Sequence, residues 1–309
     1  MLCEELAKGD TIGTAVGLLA QSEFAISVIA DEASDALRDE YLVPAIRGER
    51  IGAIGVTEPG AGSDVAAITT RARRDGADYV ISGQKTFITN GTRADFVSLA
   101  ARTGGDGARG ISLIVVPTDT PGFSVGRKLD KLGTRASDTA EIFFDECRVP
   151  VGNLVGEEGR GMRYILSHFA GERLVIAALA TGAMERLVEL GIAYARERTT
   201  FGTALAGYQS WRHRFAGMAI RLEAARLLTY QAADLLNRGE ATGEIAVSMA
   251  KVEAATSVQA VAAEVLQIHG GFGQMEESPV PRYYRDAAAM SVGAGTTEIM
   301  REIIARALV

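Results

Sequence analysis

Val56-Thr57-Glu58-Pro59-Gly60-Ala61-Gly62-Ser63-Asp64 and, downstream, Gly83-Gln84-Lys85-Thr86-Phe87-Ile88-Thr89-Asn90-Gly91 are the stretches on which the reading of this chain turns. The first reads as the end of a strand running into a glycine-rich loop. Its glycines let backbone N–H groups approach a ligand closely, and Thr57 and Ser63 offer hydroxyls. It matches neither GxGxxG nor GxxxxGK[ST], so arguments built on those nucleotide loops do not transfer. Taken alone it is equally a tight turn after an edge strand. The second stretch is a strand between glycines with an aromatic and two threonines. Taken alone it is a hairpin, with Asn90-Gly91 at the turn.

Outward from these stretches the chain falls into three zones. Residues 49–155 gather Val, Ile and Phe in short runs bounded by Gly, Asp and Asn, among them Tyr79-Val80-Ile81, Phe96-Val97-Ser98-Leu99, Ile111 to Val116 and Ile142-Phe143-Phe144. Such runs predict the strands of a middle β domain. Residues 1–48 predict helices with apolar residues on one face. Residues 156–309 return to helix. Gly182 to Glu197 buries Leu187, Leu190 and Ile192 and turns Glu185, Arg186, Glu189 and Arg196 outward, while Arg221 to Asn237 and Ile245 to Ile268 are alanine-rich for close packing. Gly270-Gly271 stops the last of these. A final helix follows Gly293-Ala294-Gly295, with Thr296 or Thr297 as N-cap, Glu298 in its first turn and Ile299, Ile303 and Ala307 as its apolar stripe. This order of helices, β domain and helical bundle has no βαβ alternation, which excludes a doubly wound dinucleotide fold.

At 309 residues the chain exceeds one ordinary domain, and its 47% apolar content suffices for a large core. A net charge of −7 without Lys/Arg clusters argues against nucleic acid as a partner. Cys3 and Cys147 lack paired spacing, so no disulfide framework is expected and the compartment reads as reducing. His168, His213 and His269 are far apart in sequence, and no metal site is expected. Thr11 to Ala30 is apolar but broken by Gln21, Ser22 and Glu23, with no basic flank. It reads as buried helix rather than a membrane span, and cytoplasm is the expected location.

The ordered segments resemble the acyl-CoA dehydrogenase family across nearly the whole chain. The two opening stretches are similar to its TEPGAGSD and GxKxFITNG pair. Leu132 to Thr139 resembles GxRxSxT, and Asn153 to Met162 resembles GEEGxGM. Glu197 to Gly202 with Gln209 resembles ERxxFG…Q. Gln267 to Gly273 with Arg282 to Asp286 resembles QxxGGxG…RxxRD, and Gly295 to Ile299 resembles GTxEI. The resemblance implies an α+β fold of N-terminal helices (1–48), a middle antiparallel β domain (49–155) and a C-terminal four-helix bundle (156–309). It implies FAD, an acyl-CoA or other acyl-thioester substrate, fatty acid metabolism, an electron-transfer flavoprotein as acceptor, and a homotetramer or homodimer. On motif matching, Thr57, Gly62, Ser63, Phe87 and Thr89 line the flavin of one subunit. Arg198, Phe201, Gln209, Gln267, Gly270 and Gly271 reach a neighbour's flavin, and Thr296 and Glu298 lie near it. Ser63, Arg173, Ala294 and Gly295 are assigned to substrate. An arginine and a helix N-terminus suit a pyrophosphate on physical grounds as well. For Arg198 alone, a helix-end ion pair with Glu197 or Glu189 is the bland alternative.

A thioester α proton needs a carboxylate within hydrogen-bond reach in a dry site. Most family members place that glutamate just before the Gly-Thr of the final segment, where this chain has Ala294. Long-chain and isovaleryl-type members instead carry it on a C-terminal-domain helix in an ERLxxA stretch, matched here by Glu172-Arg173-Leu174-Val175-Ile176-Ala177. The resemblance therefore makes Glu172 the base, against the alternative of a solvated helix charge beside Arg173. Relatives begin with additional helices ahead of the segment matching Leu2 to Asp10, so the chain reads as N-terminally shortened. Ala170 stands where several relatives have an Asp that helps hold CoA. Competing readings are a catalytically silent flavin or acyl-CoA binder, an oxidase, and an enzyme acting on a carrier-protein-bound thioester.

Overall fold

The computed structural model describes all 309 residues and divides into two compact units. A β unit comprises Val16–Asp130 and Ser137–Phe169, and a helical unit comprises Met1–Ala15, Lys131–Ala136 and Ala170–Val309. The N-terminal helices are α1 (Leu2–Ala7), α2 (Ile12–Leu19), α3 (Ser27–Glu32), α4 (Asp35–Leu37) and α5 (Val43–Ile46), with wider π-helical turns at Ala20–Ala25 and Arg38–Leu42.

The β unit is built on one eight-stranded sheet. Its strands are β1 (Gly52–Gly55), β2 (Arg71–Asp75), β3 (Asp78–Thr89), β4 (Phe96–Arg102), β5 (Ile111–Pro117), β6 (Phe123–Lys128), β7 (Thr139–Pro150) and β8 (Leu154–Val155). They lie in the order β6-β7-β3-β2-β4-β5-β8, with β1 also on β4. Pairing is antiparallel except where β1 and β2 meet β4. All seven residues of β4 are buried, because the sheet is covered on both faces. Side chains alternate across a strand, so Phe96 and Ala100 join Ile29, Leu37 and Tyr41 of the N-terminal helices in one cluster. Val97, Leu99 and Ala101 join Tyr79, Ile81 and Ile142 in the other. Ser98, on the helix-covered face, donates to the Ala25 carbonyl at 2.7 Å. Ile12–Glu32 is long and apolar enough by composition to cross a membrane, but half of it is buried, and Ala25, Ile26, Val28 and Ile29 belong to the first cluster. Asn90-Gly91 closes no hairpin, since β3 pairs with β2 and β7 and not with β4.

The helical unit holds most of α6 (Gly161–Glu197), a small β9–β10 hairpin (Thr199–Thr200, Thr203–Ala204), α7 (Gln209–Asn237), α8 (Gly243–His269), α9 (Pro279–Met290) and α10 (Thr297–Leu308). α7 begins at Gln209, earlier than apolar spacing alone indicates, because its first turns carry Gln209, Ser210, Arg212, His213 and Arg214. Close approach is built on small residues: a Cβ on Gly182 would lie 2.2 Å from the Glu4 carbonyl oxygen, so only glycine admits α1 there. Glu185 and Arg186 are half-buried rather than outward, because Glu185 pairs with Lys8 and Arg226 at 2.7 and 3.0 Å and Arg186 with Asp10 at 3.0 Å. On α10 the buried residues are Thr297 and Met300, while Ala307 of the expected stripe is exposed.

Candidate active site

In the β unit the two opening stretches are locked together. Glu58 turns inward from the loop and accepts from Thr69 N (2.7 Å), Thr69 Oγ1 (2.8 Å), Thr70 N (2.9 Å) and Lys85 Nζ (2.8 Å). Lys85 also donates to the Val56 carbonyl at 3.0 Å, and Thr86 N donates to the Thr57 carbonyl at 2.9 Å. Burial pushes the Glu58 carboxyl up, but the hydrogen bonds from Lys85, Thr70 and Thr69 outweigh it and hold the group at about 2. With Glu58 drawn inward, Gly62 and Ser63 are left on the exposed side of the loop. A Cβ on Gly60 or Gly62 would meet nothing within 4 Å, so this backbone stands open to a ligand. A register shift between Lys85 and Ile88 turns Phe87 outward, at φ +60 and 67% exposure. Thr89 is half-buried beyond it.

In the helical unit Ala195, Leu205 and Ile268 pack together with Tyr194, Tyr208, Trp211 and Phe215 around them. This cluster gathers the end of α6, the β9–β10 hairpin, the start of α7 and the end of α8, which are far apart in sequence. The segments it gathers carry Arg198, Phe201, Gln209, Gln267, Gly270 and Gly271, all exposed. Arg198 forms no ion pair with Glu197 or Glu189, and Glu189 instead pairs with Arg186 at 3.6 Å. Phe201 is fully exposed at φ +50. Gly270 caps α8 at φ +55, as the sequence indicates.

The region around the expected base lies wholly within the helical unit. Glu172 and Arg173 on α6 are 5% and 8% exposed. Glu172 shares a helix face with Ile176 one turn on, and the Ile176 Cδ1 lies 3.8 Å from where a Cβ on Gly293 would stand. Arg173 Nε donates to the Ala294 carbonyl at 3.3 Å. The structure thus brings residues 172 and 294, the two positions between which the base was to be chosen, to one neighbourhood. Burial lowers the Arg173 pKa, with Glu172 and Glu244 opposing. Thr296 is the N-cap of α10, accepting from Ile299 N at 3.3 Å, and Glu298 is exposed in the first turn. Its carboxyl is held below the usual range by its own backbone N–H and then by the Thr296 hydroxyl.

Three residues in these neighbourhoods escape sequence reasoning as site residues: Glu58, Lys85 and Lys251. The first two sit inside the quoted motifs, yet nothing in the spacing says that they face each other. Lys251 lies in an alanine-rich helix, fully buried, with its Nζ donating to the Gly295 carbonyl. A cavity of about 350 Å³ in the helical unit is lined by Arg135, Arg282 and Arg285 together with Asp10, Glu276 and Asp286. Its charges balance, with Arg285 bound to both oxygens of Glu276 at 2.7 and 2.9 Å, and it contains none of the expected site residues.

Taken separately, each unit exposes groups of a kind that suits a flavin dinucleotide: the β unit has hydroxyls at Thr57, Ser63 and Thr89, open glycine backbone and the ring of Phe87, and the helical unit has the ring of Phe201 and, in Arg198, an arginine without an internal ion pair. Fold and donors together define a flavin-dependent oxidoreductase. The middle domain of the acyl-CoA dehydrogenases matches residues 53–147 and their C-terminal domain matches 159–309. The chain is 38% identical to the mitochondrial long-chain specific acyl-CoA dehydrogenase of Sus scrofa over 96% of its own length and 69% of that protein's. The acyl-CoA dehydrogenase of Geobacillus kaustophilus matches at 41% identity and TM-score 0.94, over 99% of this chain and 81% of that one. The prolyl acyl carrier protein oxidase AnaB matches at 31% and 0.93, over 99% and 81%. The chain belongs to the acyl-CoA dehydrogenase family. Its cofactor is FAD and its reaction class is the dehydrogenation of an acyl thioester.

Proposed function

We propose that the protein converts an acyl-CoA to the trans-2-enoyl-CoA, with Glu172 as the base that removes the α proton. The observation that carries this reading is a buried glutamate on the face of α6 that meets the Gly293-Ala294-Gly295 turn, where residue 294 itself has no proton acceptor. The α C–H bond breaks toward the Glu172 carboxylate, which takes the proton, and a Cα=Cβ bond forms. Bound FAD would supply the acceptor for the hydride that leaves Cβ, which balances the oxidation. The chain's own contribution is to bury Glu172 and so exclude water from its carboxylate, which strengthens it as a base. Arg173, Ala294, Gly295 and Ser63 are proposed to contact the substrate.

The same proposal assigns Thr57, Gly62, Ser63, Phe87 and Thr89 to the flavin of one subunit and Arg198, Phe201, Gln209, Gln267, Gly270 and Gly271 to that of a neighbour in a homotetramer or homodimer, with Thr296 and Glu298 nearby. It includes the three-part division at about residues 48 and 155, an electron-transfer flavoprotein as acceptor, and a cytoplasmic location. Anaerobic titration with a panel of acyl-CoAs, watching the visible flavin band, tests it. Bleaching by one class of acyl-CoA is expected, and Glu172→Gln should keep FAD yet slow bleaching by about 100-fold or more. Undiminished bleaching in that variant removes Glu172 as the base.

A second reading rests on Ala170, a buried alanine where relatives place a CoA-holding Asp: the thioester is borne by a carrier protein. Reduction by an acyl-carrier-protein thioester but by no acyl-CoA would select it. Turnover with oxygen alone would mark an oxidase, and a flavin that no thioester reduces would mark a silent binder.

A further inference from the structure

The turn that precedes α10 is held in an unusual way. Ala294 and Gly295 both lie in the left-handed region, at φ +53 and +96. For alanine this conformation costs about 1–2 kcal/mol and persists only where surrounding structure over-determines it. The flanks of the turn are tied down: Gln259 Nε2 donates to Ser291 Oγ at 2.5 Å, and Thr297 N donates to the Ser291 carbonyl at 3.0 Å. Its middle is held by two buried cations on successive carbonyls, Arg173 Nε on Ala294 and Lys251 Nζ on Gly295. Lys251 is completely buried and forms no ion pair. A methionine would fill the same volume without the desolvation cost of an ammonium, so packing does not account for a lysine here. The bond to the turn does.

We propose that Lys251 is a positioning residue for the dehydrogenation, fixing the Ala294–Gly295 turn in one backbone setting beside the face of α6 that carries Glu172. This rests on the reading of Glu172 as the base. Lys251 touches neither substrate nor reacting atoms in the proposal and acts through the turn. The groups that act on it are few. Burial draws its ammonium down to about 8, the Arg173 charge from α6 adds to this, and Glu298 from α10 opposes it, with no charge from α7 or α9 contributing. The charge-assisted bond is therefore fully formed at neutral pH and below, and weakens as pH rises through about 8.

The test compares FAD-loaded wild type, Lys251→Met and Lys251→Arg in two measurements. The first is the rate of anaerobic flavin reduction by butyryl-, isovaleryl- and octanoyl-CoA between pH 6 and 10. The second is amide hydrogen exchange. Lys251→Met should slow reduction at saturating acyl-CoA by about tenfold or more while KM moves by less than about threefold. It should also speed exchange of the 294–299 amides without affecting the β unit. Wild type should lose activity above about pH 8, whereas Lys251→Arg should recover most of the rate and lack that alkaline limb, since a guanidinium stays charged. Unchanged exchange at 294–299 in Lys251→Met, or an alkaline limb retained in Lys251→Arg, overturns the proposal. The arginine variant decides the question if the methionine variant does not fold. Wild type that no acyl-CoA reduces would remove the reaction and any role of Lys251 in it. Normal reduction in wild type and Lys251→Met alike would overturn the role of Lys251 alone.

Discussion

Each unit buries one lysine almost completely, and the two are held in opposite ways. In the β unit Lys85 meets the Glu58 carboxylate at 2.8 Å, and Glu58 is further satisfied by Thr69 and Thr70. Charge is cancelled locally, every strong acceptor is used, and the result is a pin joining the glycine-rich loop to β3. In the helical unit Lys251 meets only a backbone carbonyl, with Arg173 repelling it and Glu298 acting from an exposed position. A buried pair with complete hydrogen bonding resists change, because removing either partner strands the other. A buried cation on a carbonyl contributes little to global stability and can be removed without orphaning a charge. The first arrangement preserves a shape, and the second sets a local conformation at the expense of stability.

The largest expected effect separates these two modes. Lys85→Met leaves Glu58 buried without its cation and should cost about 3–5 kcal/mol in chemical denaturation. Lys251→Met should cost less than about 1 kcal/mol or stabilise, although it slows turnover. Equal losses in the two variants would break the comparison. The pH dependences sharpen it from opposite ends of the scale. The Glu58 carboxyl lies below its unfolded value of 4.5, so its stabilisation is complete above that pH and is lost as pH falls toward about 2. The Lys251 ammonium lies below its unfolded value of 10.5, so the unfolded chain binds more protons between about 8 and 10.5 and stability rises with pH across that window. Acid unfolding followed in Glu58→Gln/Lys85→Met should lack its slope, whereas Lys251→Met should reduce the alkaline slope without abolishing it, because burial also draws the Lys85 ammonium down to about 8.

Glycines give the next contrast. Gly295→Ala forces a side chain into φ +96 with its Cβ 3.0 Å from the Met300 Cε, and should cost about 1–3 kcal/mol. Gly62→Ala meets no atom within 4 Å and should change stability by no more than about 0.5 kcal/mol, while weakening FAD retention measured by ultrafiltration if the open backbone is the flavin's. The smallest effect is the cap: Thr296→Ala removes the acceptor for Ile299 N and should cost about 1 kcal/mol.

Much of the fold was legible in local chemistry. The β runs from Tyr79, Phe96, Ile111 and Ile142 are strands because branched and aromatic residues alternate across a pleat covered on both faces. The stop at Gly270 and the cap at Thr296 are equally local, since each depends on one residue's backbone freedom or hydroxyl. What misled was also local. Asn90-Gly91 carries hairpin chemistry, yet β3 takes its partners from β2 and β7, because strand choice is made by sheet order rather than by the turn. Glu185 and Arg186 read as an outward face until α1 returns to pair with them.

By itself, then, the sequence determined the order of helices, β domain and helices, the family, and the presence of an alanine at 294 and a glutamate at 172. Those follow from residue identity and short-range spacing. Only the tertiary structure decided that Lys85 faces Glu58, that positions 172 and 294 share a neighbourhood, and that Lys251 is buried against the Gly295 carbonyl. A lysine in an alanine-rich helix is compatible with water or core. The side that wins depends on which helices pack over it, and that is a property of long-range contacts that no local pattern encodes.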